Sequence, residues 1–184
     1  MATVIRGDDN FDTADNATQT ELDSGLAGLT TGKILQVQSV IKSDTASHSS
    51  DTWTDISGLS VNITPSSTSS KIVIMVSASI CGNGGAQFLR LNRVAGSGDV
   101  IALPTSPSSR SGVFIVNEAS GHGNGLQTFA NSYVDSPNTT AQCTYKIQWR
   151  WQGGVIYLNR SRDDTDNVNF PRGVSNITVM EISG

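Results

Sequence analysis

TYKIQWRWQ, residues 144–152, alternates without a break: Tyr145, Ile147, Trp149 and Trp151 against Lys146, Gln148, Arg150 and Gln152. A repeat of two places the two sets on opposite sides of an extended chain, so this is a strand with one apolar and one polar face. A helix would need its apolar residues three and four apart. Gly153-Gly154 follows at once. Two residues free to take positive φ read as a tight hairpin into the next strand, VIYLNRS at 155–161.

The same repeat recurs upstream. GLSVNIT (58–64) sets Leu59, Val61 and Ile63 against Ser60, Asn62 and Thr64. KILQVQSVI (33–41) sets Leu35, Val37 and Ile41 against Gln36 and Gln38, the pattern of a half-buried strand. PSSTSS (65–70) then breaks the chain with turn residues. KIVIMVSASI (71–80) is apolar almost throughout, which fits either a central strand covered on both faces or a contact between subunits. FLRLNRV (88–94), GVFIVN (112–117), LQTFANSYV (126–134) and SNITVMEI (175–182) complete about nine or ten strands, parted by Gly, Ser and Pro. No helical period interrupts them. The expected fold class is all-β, an antiparallel β-sandwich of jelly-roll type, spanning residues 33–184.

Residues 1–32 differ. Asp, Asn and Thr dominate, and Gly25 and Gly28 weaken the one short helical pattern, ELDSGLAGL at 21–29. Such a segment buries too little to fold alone and orders on a partner. It is expected to be an anchoring arm, with Val4, Ile5, Phe11, Leu22 and Leu26 as its docking contacts.

Composition narrows the function. Hydrophobic residues make up 36% and charged residues 15%, so Ser, Thr, Asn and Gly fill the remainder, as exposed strands and tight turns require. The net charge is −4 and the bases are scattered, which excludes the clustered Lys and Arg of a nucleic-acid surface. No apolar stretch approaches the length of a membrane-spanning helix. The opening MATVIRGDDNFD lacks the basic-then-apolar order of a secretion signal, so synthesis in a cytoplasm is expected. Cys81 and Cys143 lie in strand-like runs and read as two buried free thiols, not a disulfide framework.

Candidate chemistry is sparse. His48 and His122 sit in Ser- and Gly-rich loops, TASHSS and SGHGNG, where a histidine is usually solvated. No nucleophile elbow, phosphate loop or zinc helix occurs. Asp163, Asp164, Asp166 and Asn167 offer the oxygens calcium takes, but lack the glycine and closing glutamate of an EF-hand. Their other reading is an exposed loop with Arg160, Arg162 and Arg172 as counter-charges. Trp149 and Trp151 share one strand face and either stack on sugar rings or fill the core beside Tyr145 and Ile147. Arg6-Gly7-Asp8 matches an integrin tripeptide, too short to carry weight. The Asn-x-Ser/Thr sites at Asn16, Asn62, Asn138, Asn159 and Asn176 follow from composition. No enzyme activity, cofactor or metal is expected.

Five stretches carry a resemblance: GKILQVQSV (32–40), GLSVNITPSSTSSKIVIMVS (58–77), VDSPNTTAQCTYKIQ (134–148), VIYLNRS (155–161) and SNITVMEI (175–182). They resemble small tail-fibre-like virion structural proteins of tailed bacteriophages, especially those of aquatic phages. The opening VIRGDDNFD is similar to the short N-terminus of such proteins. The resemblance implies a virion component, a tail fibre or receptor-binding tip, and no catalytic residues. Its threefold habit, with the apolar surface of KIVIMVSASI, implies a homotrimer. The alternative is a capsid decoration or head-fibre protein. The expected partners are other copies of the chain, tail or capsid proteins reached through the arm, and a host cell-surface glycan or protein. Nucleic acid and membrane insertion are not expected. Host contact is expected from loops, 97–110, 119–125 and 162–172, with Arg110, His122, Asn124, Arg162, Asp164 and Phe170 as candidate receptor residues.

Overall fold

The computed structural model describes residues 32–83, 85–95, 99–105, 109–118 and 125–184. Among these there is no helix. The strands are β1 (Ile34–Lys42), β2 (Ala46–His48), β3 (Thr54–Ile63), β4 (Lys71–Gly82), β5 (Ala86–Val94), β6 (Asp99–Ile101), β7 (Ile115–Glu118), β8 (Gln127–Asp135), β9 (Cys143–Trp151), β10 (Ile156–Leu158) and β11 (Ser175–Ile182).

They form two antiparallel sheets. In the first, β8 lies on one side of β4, and β11 and β10 lie end to end on the other. β1 then pairs with β11 and β2 with β10. In the second, β9 lies between β3 and β5, and β6 and β7 lie end to end on the far side of β5. With β1 and β2, β6 and β7, and β10 and β11 each taken as one interrupted strand, eight remain. Their order is one, eight, three, six in the first sheet and two, seven, four, five in the second. That is the jelly-roll arrangement of two interlocked Greek keys. The expected fold is the observed one.

The core lies between the sheets. Ile72, Ile74, Val76, Ala78 and Ile80 of β4 meet Tyr145, Ile147, Trp149 and Trp151 of β9, all buried. Trp149 and Trp151 therefore fill the core instead of facing a sugar. Cys81 and Cys143 are free and buried, and burial pushes both thiols upward in pKa.

Four expectations need correcting. Gly153-Gly154 does not close a hairpin. β9 belongs to the second sheet and β10 to the first, so this turn carries the chain across the sandwich. Gly153 takes φ +101, and a Cβ at Gly154 would overlap the Trp151 ring, which explains the paired glycines. GVFIVN becomes a strand only at Ile115, because Phe114 turns inward and its N–H donates to Leu89 O at 2.8 Å. His48 is not a solvated loop residue. It ends β2, and its ring stacks on Trp149 with centroids 5.3 Å apart. Lastly, the apolar side of KILQVQSVI faces outward: Leu35 is 43%, Val37 51% and Ile41 70% exposed.

The reason for that inversion is polar. Gln36 turns inward and donates from Nε2 to Glu181 at 2.6 Å and to Thr64 O at 2.7 Å. The buried Glu181 carboxylate also accepts from the Ser66 N–H, the Ser66 hydroxyl and the Ser70 hydroxyl, at 2.7, 2.6 and 2.7 Å. The serines of PSSTSS thus pin this end of the sandwich, and a buried acid takes the space an apolar residue of β1 would have filled.

Candidate functional site

Register places the outward residues of the first sheet in straight rows. Val37 of β1 pairs with Met180 of β11, Met180 with Val73 of β4, and Val73 with Val134 of β8. This row is apolar across the full width of the sheet. Ile34 and Ile182 pair on one side of it, Met75 lies in the next row, and Ile41 lies beyond. Ile34, Val37, Ile41, Met75 and Val134 are each about half exposed or more, at 54, 51, 70, 48 and 53%. Ser39, Thr178, Ser132, Asn176 and Ser77 fill the remaining positions, and Ser39 and Thr178 satisfy each other at 2.8 Å. Lys71, bonded to Ser136, is the one charge in these rows. With strands about 4.8 Å apart and about 3.3 Å per residue, the face covers on the order of 500 Å². The row from Val37 to Val134 is the contiguous apolar part of that face, and contiguous exposed apolar surface marks interaction sites.

β4 is central in its sheet, yet among the described residues only one of its faces is covered. Sequence reasoning found Val37 and Val73 in their apolar runs. Val134 and Met180 were missed as part of one row, because pairing between distant strands aligns them.

The outward side of the second sheet has the opposite character. Lys146 pairs with Asp55 at 2.7 Å, Gln148 donates to Asp55, and Arg90 Nε donates to Gln148 at 2.7 Å. The two faces of the sandwich thus differ in kind, one apolar and one charged.

The expected receptor residues are spread apart. Arg110 is exposed in the turn before β7. Arg162, Asp164 and Phe170 lie between β10 and β11. Asp164 is held by arginines: Arg172 donates to its two oxygens at 2.7 and 2.9 Å, and Arg160 lies 3.6 Å away. Arg162 pairs with Asp163 at 3.0 Å. The acidic run therefore meets arginines, and among the described residues no cluster of metal-binding side chains forms. Asn159 organises this segment from below. It takes φ +59, is fully buried, and donates from Nδ2 to Lys42 O and Asp44 O at 2.8 and 2.9 Å. Its Oδ1 accepts from Ser175 Oγ at 2.7 Å. His122, Asn124 and the arm residues Val4, Ile5, Phe11, Leu22 and Leu26 lie outside the described residues.

No protein-family model and no curated protein matches the chain. Among solved structures, the infectious bursal disease virus VP2 subviral particle shares 9% identity, with a TM-score of 0.38, over 80% of this chain and 41% of that one. The Gx strain of that virus gives 10% identity and a TM-score of 0.34, over 82% and 40%. Its T=1 particles give 12% and 0.25, over 80% and 40%. The chain spans about two fifths of the length of these structures.

Proposed function

We propose that this chain is a non-enzymatic structural protein of a tailed-bacteriophage particle, a jelly-roll subunit that works as a homo-oligomer, a trimer, in a tail fibre or receptor-binding tip. The observation that carries self-association is the row Val37, Met180, Val73 and Val134. Among the described residues nothing covers that row, whereas three copies that turn it toward a common axis remove it from water and keep the charged sheet outward. What supports the particle assignment is the sequence resemblance running from Gly32 to Ile182. Residues 1–32 are the proposed attachment to tail or capsid proteins.

Two measurements test the reading. Analytical sedimentation of the full chain at micromolar concentration gives a trimer, and a monomer overturns self-association. Gold-labelled antibody on intact particles marks the tail. Label confined to the head moves the protein to capsid decoration, and no label on any particle overturns the virion reading.

A further inference from the structure

The charged outer face also carries a cluster of rings and cations. Trp53 immediately precedes β3, and the pairing of Thr54 with Trp149 sets it beside Arg150. Arg150 is paired in turn with Phe88 of β5, and Phe88 with the exposed Val116 of β7. The Arg150 guanidinium carbon lies 5.5 Å from the Trp53 ring centre and 5.2 Å from that of Phe88. Arg90, in the next row, lies 4.4 Å over Trp53.

Among the described side chains this cluster holds more positive charge than it neutralises. Asp55 forms its ion pair with Lys146, and its charge also acts on Arg90. Among the described residues, Arg150 bonds the Ser111 hydroxyl at 2.8 Å and Arg90 bonds the Gln148 amide, and neither has a carboxylate at ion-pair distance. The buried Arg150 Nε has no hydrogen-bond partner among them. Burial and the charge of Arg150 both lower the pKa of Arg90, the sign of two cations held together against their repulsion.

A groove of about 440 Å³ begins at Asp55, one row along the sheet from Arg150, and is lined further by Lys146, Ser57, Gly58, Ser60 and Thr144. It exists because β3 bulges. Asp55 pairs with Gln148 and Ser60 with Lys146, so five steps along β3 match two along β9. Ile56 and Leu59 drop into the core, and Gly58, at φ +82, makes the bend between them.

We propose that this platform and groove bind a sugar that bears a carboxylate. A pyranose ring packs its apolar side beside Trp53 and Phe88, so that its carboxylate meets the guanidinium groups lying over those rings. A carboxylate accepts paired hydrogen bonds from guanidinium groups, and Arg90 and Arg150 converge on the same ring. Asp55, Ser60 and Thr144 supply donors and acceptors for hydroxyls along the groove. A ring alone would take neutral sugars, and cations alone would take any anion. Their combination selects the acidic sugar. Several copies in one oligomer would raise a weak single-site affinity by avidity. The binding is a property of one copy and does not depend on the particle assignment.

The test titrates the full chain by calorimetry with a tetrasaccharide of alternating glucuronate and N-acetylglucosamine, with its carboxyl-reduced neutral counterpart, and with acetate. The expected result is saturable binding of the acidic sugar, with the neutral sugar about tenfold weaker and acetate weaker still. Arg90→Gln and Arg150→Gln each weaken binding by about tenfold, and Trp53→Ala removes it, at an unchanged melting temperature. Should Arg150→Gln unfold, Arg90→Lys keeps the charge but not the fork, and the same loss is expected. Equal binding of the neutral sugar, acetate binding as tightly, or variants that bind like the parent overturn the proposal. So does displacement of the sugar by a peptide of residues 1–31, whose Asp8, Asp9, Asp12, Asp15, Glu21 and Asp23 would make the chain's own acidic segment the occupant.

Discussion

The Tyr145 hydroxyl on β9 donates to Asp135 Oδ2 on β8 at 2.7 Å, joining the second sheet to the first. Arg93 of β5 reaches the same carboxylate, with Nη1 at 3.0 and 2.8 Å from its two oxygens, and its Nη2 pairs with Asp99 at 2.9 Å. Burial, and then the neighbouring Asp135, push the Tyr145 pKa well above the usual phenol range. Two side chains of one sheet thus close on one buried acid of the other.

Removing that acid's charge leaves the half-buried Arg93 with only the exposed Asp99 as an ion-pair partner among the described residues. Asp135→Asn is expected to cost about 3 kcal/mol or more in urea denaturation. Asp99→Asn, at a carboxylate 53% exposed, is expected to cost under about 1 kcal/mol. Equal costs would show that the cross-sheet contact is not the one that matters.

Glu181 sets an acid limit. Burial opposes its charge, but donors from Gln36, Ser66 and Ser70 outweigh that and hold its pKa at about 2, against an ordinary 4.5. A folded pKa below the unfolded one stabilises the fold fully above about pH 4.5, and that contribution is lost as pH falls toward 2. The parent protein is expected to lose stability across this window in chemical denaturation. Glu181→Gln, with nothing to titrate there, is expected to start less stable and to show a flatter profile.

Charge placed in the apolar row should prevent assembly without unfolding the copy. Val73→Asp and Met180→Asp are expected to sediment as monomers with the parent's β-sheet circular dichroism. Asn62→Asp, on the outer face of the second sheet, is expected to leave the oligomer intact. Variants that remain oligomeric would move the contact to another surface.

Asn159 offers a sharper test of a single amide. Asn159→Ala removes the side-chain donor of the buried Lys42 carbonyl and of the part-buried Asp44 carbonyl and is expected to cost about 2 kcal/mol. Asn159→Asp keeps the shape but cannot donate, so it is expected to be similarly destabilised. A mild effect from Asn159→Asp would show that backbone conformation, not donation, is what the position requires.

Much of the fold was legible along the chain. Alternation in TYKIQWRWQ and GLSVNIT named the buried residues of β9 and of the last part of β3, because strand geometry fixes which side a residue takes once the period is two. Which side becomes the inside is a different matter. KILQVQSVI shows the same alternation, yet its apolar set faces out, because the space beneath β1 belongs to Glu181, more than a hundred residues away.

The sequence by itself therefore determined the all-β class, the core face of its most regular strands and the turn positions, since period and turn chemistry are local properties. Tertiary structure alone decided the rest: that Gly153-Gly154 crosses between sheets, that Val37, Met180, Val73 and Val134 form one row, and that Trp53 meets Arg90 and Arg150. Each depends on register between strands far apart in the chain. Register follows from the joint packing of two sheets, and no single segment carries it.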